Sequence, residues 1–203
     1  MFRVLIIFAT SLCLCELVKG DCGVVTKQQW GGLQPTHVQY LPRPVDLVII
    51  QHTVTPMCTT DTACMDRMRN TQDYHMDTLG WWDIGSSFYV GGNGKVYEGA
   101  GWLHVGAQPW ATTNAPLASL SSETTKVIIV EILYYLVNDG PTTQQLNAVK
   151  ALLKCGVESG HLTSNYHVVG HRQLIATVSP GRNLYREIRT WPEWMEDVSS
   201  IKN

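Results

Sequence analysis

LVIIQH, residues Leu47–His52, decides the architecture: four apolar and mostly β-branched residues run together before Gln51 and His52. A strand with one wet face alternates apolar and polar residues, so an uninterrupted run predicts a central strand covered on both faces. That strand delivers His52 to its C-terminal end. Upstream, YLPRPVD (residues 40–46) punctuates the chain with two prolines. Downstream, Met65, Met68, Gln72, His75 and Met76 recur at helical spacing from Asp61 to Thr78, and Gly80 stops the run. SSFYVGGNGKVYEG (86–99) places two apolar segments around Asn93-Gly94, a hairpin signal. Val127 to Leu136 reads as another buried strand, and Thr142 opens a helix to about Glu158 with a capping-box pattern. YHVV (166–169) predicts a strand ending in Gly170-His171-Arg172, and SPGRNLYREIRTW a helix entered at Pro180. Strands alternating with helices around an embedded hairpin give an α/β fold: one domain with a mixed central β-sheet flanked by helices.

The first twenty residues, MFRVLIIFATSLCLCELVKG, join a single Arg3 to an apolar run from Val4 to Cys15, with Val18 and Gly20 before a cut ahead of Asp21. This is the pattern of a signal peptide, since a dozen apolar residues fall short of the roughly twenty that span a membrane. The expected product is an extracellular domain over residues 21–203. It keeps 13 Lys and Arg against 16 Asp and Glu, which gives no basic patch for nucleic acid. Four cysteines remain, Cys22, Cys58, Cys64 and Cys155, and arithmetic allows three pairings. The short polar stretch CTTDTAC favours a local Cys58–Cys64 staple, leaving Cys22 to meet Cys155. No CxxC pair occurs that would read as zinc ligation.

His52 and His171 each follow an apolar strand, and the ends of strands in such sheets are where ligand sites gather. VIIQHTVT around His52, DIGSSFYVGGNGKVYEGAGW at the hairpin and YHVVGHRQLIATVSPG around His171 together resemble the peptidoglycan recognition protein family. The resemblance extends to WGG after Gln29, to the cysteine pattern and to the closing LYREIRTWPEW. It implies an amidase-like fold, a groove for the peptide stem and sugar of peptidoglycan, and kinship with zinc-dependent N-acetylmuramoyl-L-alanine amidases. In catalytic members two histidines and a cysteine hold zinc and a tyrosine assists the attacking water. His52 and His171 match the histidines, but Ser179 stands at the cysteine position and Ser86 at the tyrosine position, while Thr177 falls where members carry lysine or threonine.

A serine hydroxyl stays protonated near neutral pH, so two imidazoles and an alcohol should hold zinc poorly. Without the metal, no bound water is activated to attack an amide. The expectation is therefore a domain with no catalytic residues and no tightly held cofactor, which binds peptidoglycan and triggers innate immune signalling. Other recognition proteins or an upstream serine protease are its implied partners. The alternatives are a zinc amidase and a weak hydrolase using Ser179 as nucleophile, although the GxSxG elbow is absent.

The resemblance places the groove along His52, Thr53, His75, Leu79, Gly80, Trp81, Ser86, Ala100, Gln108, His171, Thr177 and Ser179. Gly80-Trp81 match relatives that prefer diaminopimelate-type peptidoglycan, whereas the arginine of VYEGRGW is Ala100 here, so the two signals oppose each other. Gln108 replaces a groove histidine at the head of an atypical stretch, and Glu131 sits in an apolar run where it needs a partner or an exposed face.

Overall fold

The computed structural model describes residues 22–108, 126–134 and 140–202. The leader read over residues 1–20, most of the atypical stretch after Gln108, and the end of the strand read to Leu136 lie outside the described residues. In chain order the elements are α1 (Lys27–Trp30), β1 (Val45–His52), α2 (Asp61–Asp73), a π-helical turn (Tyr74–Thr78), β2 (Phe88–Val90) and β3 (Val96–Glu98). They continue with β4 (Val127–Ile132), α3 (Thr143–Glu158), β5 (Leu162–Gly170), α4 (His171–Leu174), α5 (Arg182–Ile188) and α6 (Ser199–Lys202).

The strands form one five-stranded sheet in the order β3-β2-β4-β1-β5. β1 lies in the middle of three parallel strands, with Ile50 opposite Val130 of β4 and Gly170 of β5. β2 adds parallel to β4, and β3 turns back antiparallel to β2, which makes the sheet mixed. Both faces of β1 are covered. Val48 and Ile50 pack into a cluster with Val149, Leu152 and Leu153 of α3 and Leu184 and Ile188 of α5. Leu47 and Ile49 pack on the other face with Val127, Ile129, Val169 and Leu174. Each such side chain stabilises the fold by roughly 1.5–3 kcal/mol relative to exposure, which is why the apolar run has to be central.

Local chemistry sets the helix ends. Thr142 caps α3 and exchanges a capping box with Gln145, as its spacing predicts. The helix read from Asp61 to Thr78 is present, but its last turn widens to π geometry, with the Leu79 N–H donating to the Tyr74 carbonyl at 3.1 Å. The hairpin forms around a longer loop than a two-residue turn, since Val90 pairs with Val96 and Gly91 with Lys95 closes it. The helix expected to enter at Pro180 starts instead at Arg182, because Gly181 at φ +86° forms its N-cap.

Cys22 joins Cys155 and Cys58 joins Cys64. The short bridge anchors the start of α2 over a third cluster of Trp30, Met68, Ile84, Tyr89 and Tyr97. Among the described residues no helix is long and apolar enough to cross a membrane.

Candidate functional site

β5 ends opposite Ile50, so the next N–H of β1 on that side, at His52, lies beyond the ladder. The Ser179 hydroxyl accepts it at 3.1 Å, while the Thr53 N–H, on the other side, continues to the Ile132 carbonyl of β4. Ser179 is held in place by its neighbours. Its N–H donates to the Thr177 hydroxyl at 3.2 Å, and its carbonyl accepts from the Arg172 N–H at 2.9 Å. Thr177 is thus a peg for the loop that carries Ser179.

The His52 ring lies 5.0 Å from that of Tyr134, whose hydroxyl donates to the Pro180 carbonyl. Burial, with help from the Arg172 charge, holds the His52 pKa below its usual value. Burial brings His171, the first residue of α4, down to about 4, with His52 adding to the effect. Both imidazoles are therefore neutral at neutral pH.

A cleft of about 370 Å³ opens over the end of β1. Thr53, Thr55 and His52 line one side, Arg67, Thr71, Tyr74 and His75 the other, and Glu131 reaches it from β4. The Thr53 and Thr55 hydroxyls lie 2.8 Å apart, and Val54 between them is exposed. His75 accepts the Gly85 N–H on Nδ1 at 3.0 Å and stacks on Trp81 at 4.4 Å. Its burial outweighs the opposing pull of Asp83 and lowers its pKa to about 4. Gly80, at φ +69°, allows the chain to turn back so that the Trp81 N–H reaches the His75 carbonyl at 2.9 Å.

Beneath the cleft runs a buried polar chain. The register aligns Gln51, Glu131 and Tyr89 across β1, β4 and β2, so their side chains share one face. The Ser86 hydroxyl donates to Glu131 at 2.6 Å, the Gln108 amide donates to Ser86 at 2.8 Å, and Gln51 donates to Gln108 at 3.2 Å. The Ser86 N–H closes on the Tyr89 hydroxyl at 3.0 Å. Glu131 in its apolar run has thus found a partner in Ser86. Burial nonetheless pushes its carboxyl up to about 7 against the hydrogen bonds of Ser86 and Tyr89, and drives the Tyr89 phenol upward as well.

Of the groove residues expected from sequence, the structure brings His52, Thr53 and His75 to the cleft, with His171, Thr177 and Ser179 grouped behind His52. Trp81 supports it through His75, and Leu79 is exposed at the end of the π turn. Ser86, Ala100 and Gln108 are buried and are not among the residues that line this cleft. The Ala100 N–H donates to the Ser86 carbonyl at 3.0 Å. Arg67, Thr71 and Tyr74 went unnoticed in the sequence, though their spacing of four and seven residues was visible there. Met65, Met68 and Gln72 carry the apolar spacing of the same helix on its packed face.

The sequence model of the N-acetylmuramoyl-L-alanine amidase family matches residues 41–182. The fold is therefore that of an amidase-type domain. Within that class, the chain belongs to the peptidoglycan recognition protein family. It is 59% identical over 180 residues to the peptidoglycan recognition protein of Trichoplusia ni, covering 89% of this chain and 93% of that one. Among solved structures it is similar to Manduca sexta peptidoglycan recognition protein-1, with TM-score 0.80 and 56% identity over 89% of this chain and 97% of that one. It is also similar to peptidoglycan recognition protein-LE, solved in complex with tracheal cytotoxin, a monomeric diaminopimelic acid-type peptidoglycan. There the TM-score is 0.76 and the identity 32%, over 85% of this chain and 96% of that one.

Kinship with amidases implies zinc, and the donor set does not fit it. Two imidazoles are present, but the third position offers a hydroxyl already accepting a backbone N–H. Neither ring nitrogen of His52 has a hydrogen-bond partner among the described residues. A zinc-bound histidine normally has its second nitrogen oriented by a carboxylate or carbonyl. Among the described residues no group of three His, Cys, Asp or Glu side chains gathers.

Two measurements check this site. A carboxyl with a raised folded pKa favours folding below its unfolded value of 4.5, and that stability is lost as pH rises toward 7. Glu131→Gln keeps an oxygen for Ser86 and removes the ionisation. From about pH 5 to pH 8 the wild type is expected to lose on the order of 3 kcal/mol relative to this variant in urea unfolding, and parallel profiles would contradict the burial account. Ser179→Cys is expected to tighten zinc binding by about tenfold or more in calorimetric titration, because a thiolate replaces an alcohol. Equal affinities would show that the third ligand is not what is missing. The companion reversal Ser86→Tyr is a poor test, since Ser86 is fully buried and hydrogen-bonded on both sides.

Proposed function

We propose that this chain is a secreted, non-catalytic receptor for bacterial peptidoglycan. Residues 21–203 form the recognition domain, and the peptide stem and sugar of a muropeptide lie in the cleft over His52. The observation that carries the reading is the use of Ser179: its hydroxyl closes the backbone at His52 where an amidase needs a thiolate to hold zinc. Family membership supports the ligand class, as does the cleft itself. Its volume of about 370 Å³ is within the usual range for small-ligand sites, and hydroxyls, a neutral imidazole and a tyrosine line it. These groups suit peptide amides and sugar hydroxyls.

The signal-peptide pattern of residues 1–20 and the two disulfides fit an oxidising, extracellular setting. A receptor of this kind signals when a polymeric wall gathers several copies. Its protein partners would be other recognition proteins or a serine protease of an innate immune cascade.

Sedimentation with insoluble peptidoglycan, followed by calorimetry on soluble muropeptides, tests the proposal. The wild type is expected to pellet with the polymer. Tyr74→Ala, a truncation of a side chain that is 54% exposed, is expected to weaken muropeptide binding by about tenfold without shifting the unfolding midpoint. A wild type that stays in the supernatant would overturn the reading.

A further inference from the structure

Arg67, Thr71 and Tyr74 follow one another by four and three residues, so they share the helical face that forms the cleft wall. The Thr71 hydroxyl donates back to the Arg67 carbonyl at 2.8 Å, which fixes this turn. The Arg67 side chain is half-buried. Among the described residues its enclosed Nε has no hydrogen-bond partner and no ion pair includes it. Arg69, two residues on, behaves differently: it binds the Asp66 carboxylate and the Trp30 carbonyl. A guanidinium cannot shed its charge, so an enclosed N–H without an acceptor is costly until a ligand supplies one. Glu131 does not meet this need, since its carboxyl is held by Ser86 and burial keeps it largely in the acid form up to neutrality. Arg172, whose charge reaches His52, lies over the Tyr185 ring and does not line the cleft, and burial lowers the pKa of the His52 and His75 imidazoles.

Resting on the muropeptide reading of the cleft, we infer that Arg67 is a specificity-determining residue whose guanidinium pairs with a carboxylate of the stem peptide. Its planar fork matches a carboxylate through two parallel N–H donors. Two carboxylates have this chemistry: the extra one of a diaminopimelate residue, and the α-carboxylate at the end of the stem.

Calorimetry on the intact secreted chain separates them with four muramyl tripeptides. These carry diaminopimelate with a free or an amidated side-chain carboxylate, and lysine with a free or an amidated C-terminus. The wild type is expected to prefer the free acid over the amide by about tenfold in one of the two pairs, which identifies the source. Arg67→Gln is expected to bring that ratio to about one, with the larger loss falling on the free acid, and Arg67→Lys to keep part of the preference. Thermal unfolding of both variants is followed in parallel, and Arg67→Lys retains the charge should Arg67→Gln fold poorly. A wild type indifferent to amidation, a preference that survives Arg67→Gln, or equal losses for acid and amide would each overturn the assignment while leaving peptidoglycan binding intact. Failure of the wild type to bind any of the four would defeat the binding reading itself.

Discussion

The parallel pairing of β1 between β4 and β5 is the constraint from which the site follows. It aligns Gln51 with Glu131 and leaves His52 one step past the end of β5. A backbone N–H buried at that point has to be accepted by something, and Ser179 provides the oxygen. The same register that stabilises the core therefore fixes which groups face the cleft and which are sealed below it. Val48 and Ile50 pack against α3 and α5, and a slip of one residue would move them to the other face, where Leu47 and Ile49 now pack.

Ser179 and Ser86 are structural members of the site, each engaged by hydrogen bonds. Ser179 ends the ladder at His52, and Ser86 supplies the donor that makes a carboxyl at position 131 tolerable. Gln108 and Gln51 extend the chain of hydrogen bonds, so the floor is a fully engaged polar layer. A buried network of this kind resists rearrangement, which suits a surface that holds a ligand in one pose.

Much of this was legible in the sequence, and the exceptions have physical causes. LVIIQH identified the central strand because burial on both faces removes polar alternation, and Thr142 with Gln145 marked a helix start because a cap needs those side chains. The α5 start was misplaced at Pro180 because proline suits a first helical turn, but the glycine after it sets the cap. Ser86, Ala100 and Gln108 were expected at the groove surface. Position along the chain does not reveal depth, and in the fold all three are buried away from the residues that line the cleft. A charged residue on an amphipathic helix reads as solvated, and nothing local shows that the flank of α2 carrying Arg67 meets Thr53 and Thr55.

The central claim is that the site holds its ligand without cutting it. It is tested most directly by incubating the purified chain, saturated with zinc, with a defined muropeptide and following the products by mass spectrometry. Recovery of the muropeptide intact is the expected result. Release of free stem peptide in excess over the protein would contradict the account.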